Sequence, residues 1–343
     1  MVVCFCWFKG VDFVGFGWDD EVSIQGQKVC ELHDITWESA RLIVEEQERR
    51  KLVAKRGRYR YVTPLPLAIN LASTWLSAMD ASTIGNHFKG LPDAETQKAF
   101  LERLTDLGYT DYAQGVARSF LSSFDLILLN TSMGSEIFLN LSKTDHTFSM
   151  DMLEKILGSI PRDELLEFKV GRRNVIWILE KIAWWRDTFA RSARMLLRLA
   201  DAENEEWSNN ATGTFANLFQ TFLGGTEVPL WERYPVLEEA ASSSNKNVQK
   251  IALKAIQATL RMTHATRMIS AEEQGVIIPP PEWNPRSRDD IQKSVNSSLG
   301  LIDKLIKSSD REIQLETSEI IISNMRTLLG LGFVSGVLDR LVL

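Results

Sequence analysis

The sequence predicts a mainly α-helical fold: a small winged-helix domain at residues 1–80, then a HEAT-like α-helical repeat array over 81–343, subdivided near residue 170. Three observations carry that expectation. Beyond residue 92, apolar side chains recur at about 3.6 residues in segment after segment, the period of a helix with one buried face. One short stretch, 52–62, changes to alternation, as a β-hairpin does. Residues 171–230 join two apolar helical patterns through a polar hinge and hold four of the ten tryptophans, which marks them as the packed centre of an array.

From the N-terminus, 21–32 reads as a short helix with Val22, Val29 and Leu32 on one side. Thr36 is placed to cap a second helix, 37–51, with Glu38 and Ser39 in its first turn and Ala40, Ile43, Val44 and Gln47 inward. Two strands, 52–54 and 59–62, flank a turn containing Gly57. Thr63 and Pro64 then open a third helix to about residue 79, where Leu67, Leu71, Trp75 and Met79 repeat every four positions. Helix, turn, helix, hairpin, helix is the order of a winged helix. Residues 49–60 carry seven basic side chains and no acid, which makes Arg56, Arg58 and Arg60 the candidate phosphate contacts of a DNA-binding alternative. Against that use, Glu38, Glu45, Glu46 and Glu48 lie on the would-be recognition helix and repel phosphate, so a structural or regulatory role is the preferred reading.

In the remainder, Asp93 caps a helix over 94–107, with Phe100, Leu101, Leu104 and Leu107 inward and Gly108 at its end. Helical segments follow at 112–124, 126–129, 149–160 (Met152, Leu153, Ile156 and Leu157 on one face) and 163–168. Ile178, Ile182, Trp185 and Phe189 run on into Ala193, Leu196, Leu197 and Ala200 as one stripe. Trp184 and Trp185 are neighbours and cannot share that face, so Trp185 joins the core and Trp184 goes to a seam or the surface. The hinge, 201–214, is rich in side chains that bond backbone N–H groups, and a helix over 215–223 follows it. Segments 231–241 and 247–262 form the plainest HEAT-type hairpin, with Val248, Ile251, Ala252, Ala255, Ile256 and Leu260 inward. The three prolines of IIPPPEWN, 277–284, break helix and lay down an extended strap carrying Trp283. Helices over 288–306 and 312–329 make a last antiparallel pair, before a short apolar tail.

Composition narrows the function classes. Hydrophobic residues at 44% and charged residues at 24% are globular values, and a net charge of −6 argues against a general nucleic-acid coat. Three cysteines in 343 residues make no disulfide framework, which fits a reducing cytoplasm. MVVCFCWFKG lacks the order of a signal peptide, and no run approaches the roughly 18 apolar residues that span a bilayer. Cys4, Cys6, Cys30 and His33 could suggest zinc, but Cys4 and Cys6 stand too close for a usual knuckle, and buried structural cysteines are the better account.

Catalytic patterns are missing. No glycine precedes a lysine, so there is no phosphate loop; no G-x-S-x-G and no H-E-x-x-H occur, and His33, His87, His146 and His264 fall in separate segments. Thr212, Gly213 and Thr214 could cradle an anion at a helix start, but with no lysine nearby they read as a cap. Glu203, Glu205 and Glu206 read as a solvated helix end rather than an acid–base pair. Arg172, Arg173, Arg186, Arg191, Arg194 and Arg198 form a basic strip that could bind an acidic partner. Glu180 to Arg186 and Asp187 to Arg191 or Arg194 suggest surface or inter-repeat ion pairs, and the polar side of a packed helix is the preferred reading. The expectation is therefore no enzyme, no cofactor and no metal site. A protein partner would use exposed Arg172, Arg173, Trp184, Trp207 and Trp283.

Two stretches resemble the non-catalytic C-terminal part of bacterial STAND-type P-loop ATPases, signalling proteins often linked to antiphage defence. RGRYRYVTPLPLAINLASTWL, 56–76, is similar to the wing and following helix of their winged-helix segment. GRRNVIWILEKIAWWRDTFARSARMLLRLADAENEEWSNNATGTFANLFQTFLGGTEVPLWER, 171–233, is similar to the start of their helical repeats, and ISAEEQGVIIPPPEWNP, 269–285, fits the same pattern. The resemblance implies a regulatory and sensing module that binds a protein. It also implies an ATPase domain, whose motifs this chain lacks; either the chain is a truncated or split product, or another chain supplies that domain.

Overall fold

In the computed structural model the described residues are 20–31, 33–56, 59–91, 93–262, 271, 273–274 and 277–332. They form seventeen helices and one two-stranded sheet, a mainly α fold as expected. The chain divides into two compact units, Met1–Met152 with Glu272–Pro279, and Leu153–Ala271 with Pro280–Leu343.

The first unit opens with α1 (Asp20–Glu31), α2 (Trp37–Arg49), the strands β1 (Val53–Arg56) and β2 (Tyr59–Val62), and α3 (Leu65–Ser77). Thr36 accepts from Ser39 N at 3.2 Å and caps α2 as the sequence predicts. The strands pair antiparallel, Val53 opposite Val62 and Arg56 opposite Tyr59. On α3 the buried face is Ala68, Ile69, Ala72, Trp75 and Leu76; Met79 is exposed, so the every-fourth-residue stripe was rotated from the true face. Cys30, Ala40, Val44 and Val53 share one small core, with Ile35 and Trp37 against it. Cys4 and Cys6 lie outside the described residues.

Next come α4 (Ala81–Gly90), α5 (Ala94–Asp106), α6 (Asp111–Leu121), α7 (Leu126–Leu129), α8 (Ser132–Ser142) and α9 (His146–Leu157), the last containing the division between the units. Periodicity alone misses α4, which offers only Ile84 and Phe88 as buried apolar residues, and α8, whose buried face begins with Gly134 and Ser135. Their caps are nonetheless in the sequence: Asp80 accepts from Thr83 N, and Thr131 from Gly134 N. Aromatic rings fill this unit. Trp75 packs on His87, His87 and Phe88 on Phe100, Phe88 on Phe120, and Phe124 on Phe138.

The second unit contains α10 (Arg162–Glu167), α11 (Arg172–Ile182), α12 (Arg186–Asp201), α13 (Ala211–Asn217), α14 (Leu230–Ala241), α15 (Lys246–Thr259), α16 (Arg288–Leu305) and α17 (Arg311–Gly330). Three hairpins, α12–α13, α14–α15 and α16–α17, stack side by side in two layers. In the first layer α12, α14 and α16 follow one another; in the second, α13, α15 and α17 do. Each hairpin buries its stripe only against its neighbours, the packing logic of a helical array.

The stripe expected to run through 178–200 as one helix is broken between Ile182 and Arg186. The Trp184 carbonyl leaves the helical ladder and accepts instead from Thr226 Oγ1 at 3.0 Å and from Glu227 N at 3.0 Å. Trp185 becomes the half-buried N-cap residue of α12, while Trp184 is buried, the reverse of the sequence expectation. A three-residue turn preserves helical spacing on both sides, so periodicity cannot detect it.

Oppositely charged pairs tie neighbouring helices of the first layer together. Arg194 meets Glu239 through two bonds of 2.8 and 2.7 Å, Arg186 meets Glu232, and Lys304 meets Glu238. Arg191 reaches Glu154 at 3.1 Å through Nε. The arginines thus form inter-repeat ion pairs, with acids on other helices that their sequence spacing does not name.

Candidate functional site

The second layer is uneven. Helix α13 has 7 residues, whereas α15 beside it has 14 and α17 has 20. The short α13 leaves part of the outer face of α15 uncovered, and a cleft of about 1070 Å³ opens there. One wall is the end of α12, the hinge and α13, with Asp201, Glu203, Glu206, Trp207, Asn210 and Thr212. The floor is α15, with Asn247, Lys250, Lys254 and Gln257, followed by Arg261; Arg162 and Glu316 stand at the edges.

Capping and carboxylate bonds hold the hinge in shape. Asn210 Oδ1 accepts from Gly213 N at 2.9 Å and so caps α13. Glu203 accepts from Thr212 N at 3.0 Å and Thr212 Oγ1 at 3.1 Å, and Glu205 accepts from Trp207 Nε1 at 2.9 Å. A Cβ at Gly213 would collide with the Ser208 carbonyl, so the hinge needs glycine there. Glu203 and Glu205 are thus structural acceptors. Thr212 and Gly213 already spend their N–H groups on Glu203 and Asn210.

Below the hinge lies Arg172, which is fully buried. It donates to the carbonyls of Leu165 at 3.0 Å and Ala202 at 2.8 Å, and also to Leu199, closing the C-terminal end of α12. Burial lowers the Arg172 pKa, and the carboxylates of Glu203 and Glu205 offset part of that shift. Arg172 is therefore not a surface group. Nor is Trp184, which is buried and donates its indole N–H to the Pro280 carbonyl at 3.1 Å. Both were expected to face a partner, and both are consumed by packing; an arginine in a first helical turn, or one of two adjacent tryptophans, carries no sequence mark of burial.

The remaining candidates fare differently. Arg173 is exposed and lies over the rings of Trp207 at 4.5 Å and Trp177 at 5.8 Å. Trp207 is 46% exposed at the mouth of the cleft. Trp283 is half-buried in the strap. Its N–H donates to the Thr226 carbonyl at 2.8 Å, its ring meets Trp231 edge-on, and the Arg233 guanidinium lies over it at 5.5 Å. The fold thus brings Arg173 and Trp207 together and keeps Trp283 in a separate cluster. In the first unit, Arg60 is largely buried beside Glu48, to which Nε donates at 3.4 Å. Arg58 and the side chain of Arg56 lie outside what is described.

The groups that sequence reasoning missed are on α15. Lys250 pairs with Glu316 at 3.2 Å and also with Glu312, and Lys246 pairs with Asp310 at 2.9 Å. Lys254, Gln257 and Arg261 line the cleft with no hydrogen bond or ion pair from their side chains among the described residues. The fold also brings His33 and His87, distant in sequence, to a ring separation of 5.0 Å. Burial, helped by the neighbouring His33, pushes the His87 pKa down to about 4. Among the described residues no group of three or more His, Cys, Asp or Glu could hold a metal ion.

No family model and no curated protein matches the chain. Among solved structures, an engineered protein of known crystal structure aligns over 80% of this chain and 74% of its own at 16% identity, with a TM-score of 0.24. That likeness is too low to carry an argument about fold or function. Among the described residues, no helix is long and apolar enough to cross a membrane.

Proposed function

We propose that this chain is the regulatory, sensing and protein-interaction module of a STAND-type signalling switch, working in the cytoplasm with an ATPase domain supplied by another chain. Its N-terminal winged helix would adjoin that ATPase, and its HEAT-like hairpins would receive the protein whose arrival shifts the switch. The observation that carries this reading is the cleft beside α15: large, polar, rimmed by an exposed tryptophan, and walled by a hinge whose own bonds are already made. A ligand can act on such a switch only by binding one state better than the other, and a preformed cleft in a stacked array provides the surface for that difference.

The test is affinity capture from phage-infected cells with the wild-type chain and with Trp207→Ala, followed by cross-linking to locate the contact. The proposal expects a captured protein, cross-links on the α13 and α15 side, and less capture by the variant. Capture of nothing, or cross-links confined to the other layer, contradicts it.

A further inference from the structure

We infer that the cleft beside α15 takes an extended acidic peptide, two of whose carboxylates, three residues apart, meet Lys254 and Arg261. The inference rests on the reading of the array as a protein-binding module and names the chemistry of what it binds. Four cations line the cleft, and they are unequal. Arg162 lies 3.7 Å from Asp201, and Lys250 is held by Glu312 and Glu316 of α17. Lys254 and Arg261 are exposed and have no partner among the described residues, so their charge is available to a ligand. Gln257 projects between them in the same cleft and adds an uncommitted amide.

Spacing sets the ligand. Arg261 stands seven positions after Lys254, just past the end of α15, about 10 Å away at about 1.5 Å per residue. A chain in the polyproline II conformation advances about 3.1 Å per residue with about three residues per turn, so carboxylates three residues apart lie on one side and cover that span. Trp207, on the facing wall, offers an exposed ring for the backbone or an apolar side chain between them.

Four carboxylates line the cleft, but Asp201 lies against Arg162, Glu203 accepts from Thr212 and Glu316 pairs with Lys250. That leaves Glu206, with Glu319 beyond it, to oppose the ligand and orient it. Glu206 lines the hinge wall and repels a carboxylate there, which places the acids of the peptide on the α15 side. Glu319 of α17 lines the continuation of the groove with Lys254 and forms no ion pair with it, so it competes with the ligand.

The experiment is fluorescence polarisation with a fluorescein-labelled synthetic peptide of Ser, Gly and Pro bearing two glutamates three residues apart. The controls carry glutamine in place of both glutamates, or have the glutamates adjacent. The wild-type chain binds the first peptide at least about tenfold tighter than either control, and binding weakens as salt is raised. Lys254→Glu with Arg261→Glu abolishes that preference, while Glu319→Gln tightens binding by roughly twofold. Both cations are exposed, so circular dichroism of the double variant should match wild type. Equal affinity for the glutamate and glutamine peptides, or a double variant that binds as wild type does, overturns the inference. If the acidic peptide fails but a captured protein still cross-links at this cleft, the inference falls and the protein-binding reading stands. If the peptide binds but no captured protein touches the cleft, that reading falls.

Discussion

The two units fill their interiors by different means. In the first, rings stack from Trp75 through His87 and Phe100 to Phe88 and Phe120, and the half-buried His87 among them is held as a neutral imidazole. The one fully buried guanidinium among its described residues, Arg103, pairs with the carboxylate of Asp106 at 2.8 Å. In the second, helical hairpins stack, and fully buried guanidinium groups bind the carbonyls that helix ends leave over. Arg172 does so for α12, and Arg233 does so for Leu218, Gln220 and Val228. An imidazole can shed its charge to enter a core, whereas a guanidinium cannot and must be surrounded by acceptors. The first unit should therefore lose stability in acid, and the second should depend on single arginines whatever the pH.

The largest expected effects are in the second unit. Arg172→Met strands the carbonyls of Leu165, Leu199 and Ala202 and should cost about 3–5 kcal/mol, seen as a lower urea midpoint. Phe189→Ala opens a cavity in the α12 stripe, Phe189 being buried against Phe219, and should cost a similar ~3–5 kcal/mol. Trp185→Ala should cost only ~1–2 kcal/mol because Trp185 is half-buried. Equal losses at positions 185 and 189 would restore the single continuous helix and remove the turn at Trp184.

Acid sharpens the contrast. The folded pKa of His87 is pushed down to about 4 from the ordinary imidazole value of 6.5, so folding favours the neutral ring. The stability that His87 contributes is complete above the unfolded pKa, falls as pH drops below about 6.5, and has been lost by about pH 4. The urea midpoint of the first unit should fall between pH 7 and pH 5 in the wild type and fall less in His87→Phe. A midpoint that moves equally in both removes the half-buried imidazole from the account.

Smaller effects test the array's edges. Asn210→Ala removes the cap of α13 and should cost about 1 kcal/mol, with faster amide exchange in the hinge. Arg194→Ala breaks a bidentate but exposed pair with Glu239 and should cost no more than about 1 kcal/mol, shrinking further in high salt.

Much of the fold was legible because apolar spacing reports directly on one-sided burial: Phe100, Leu101, Leu104 and Leu107 are all inside, as are Ile251, Ala252, Ala255, Ile256 and Leu260. Spacing was blind where a turn kept the period, at Trp184, and where a helix has little apolar residue to show, at α4. The candidate site was less legible. Which arginine turns inward is decided by carbonyls that only the folded chain assembles, so Arg172 and Arg173, adjacent in sequence, end as a buried clamp and an exposed ring partner. Likewise, nothing local distinguishes Lys250 from Lys254; the acids that neutralise the first come from α17, more than sixty residues away in sequence.

The most direct test of the account places a photo-cross-linker at position 254 on α15 or at position 293 on α16, in the opposite layer, and exposes each to the protein captured from infected cells. The account predicts cross-links from 254 and none from 293. Cross-links from 293 alone would contradict it, moving the binding face away from the cleft.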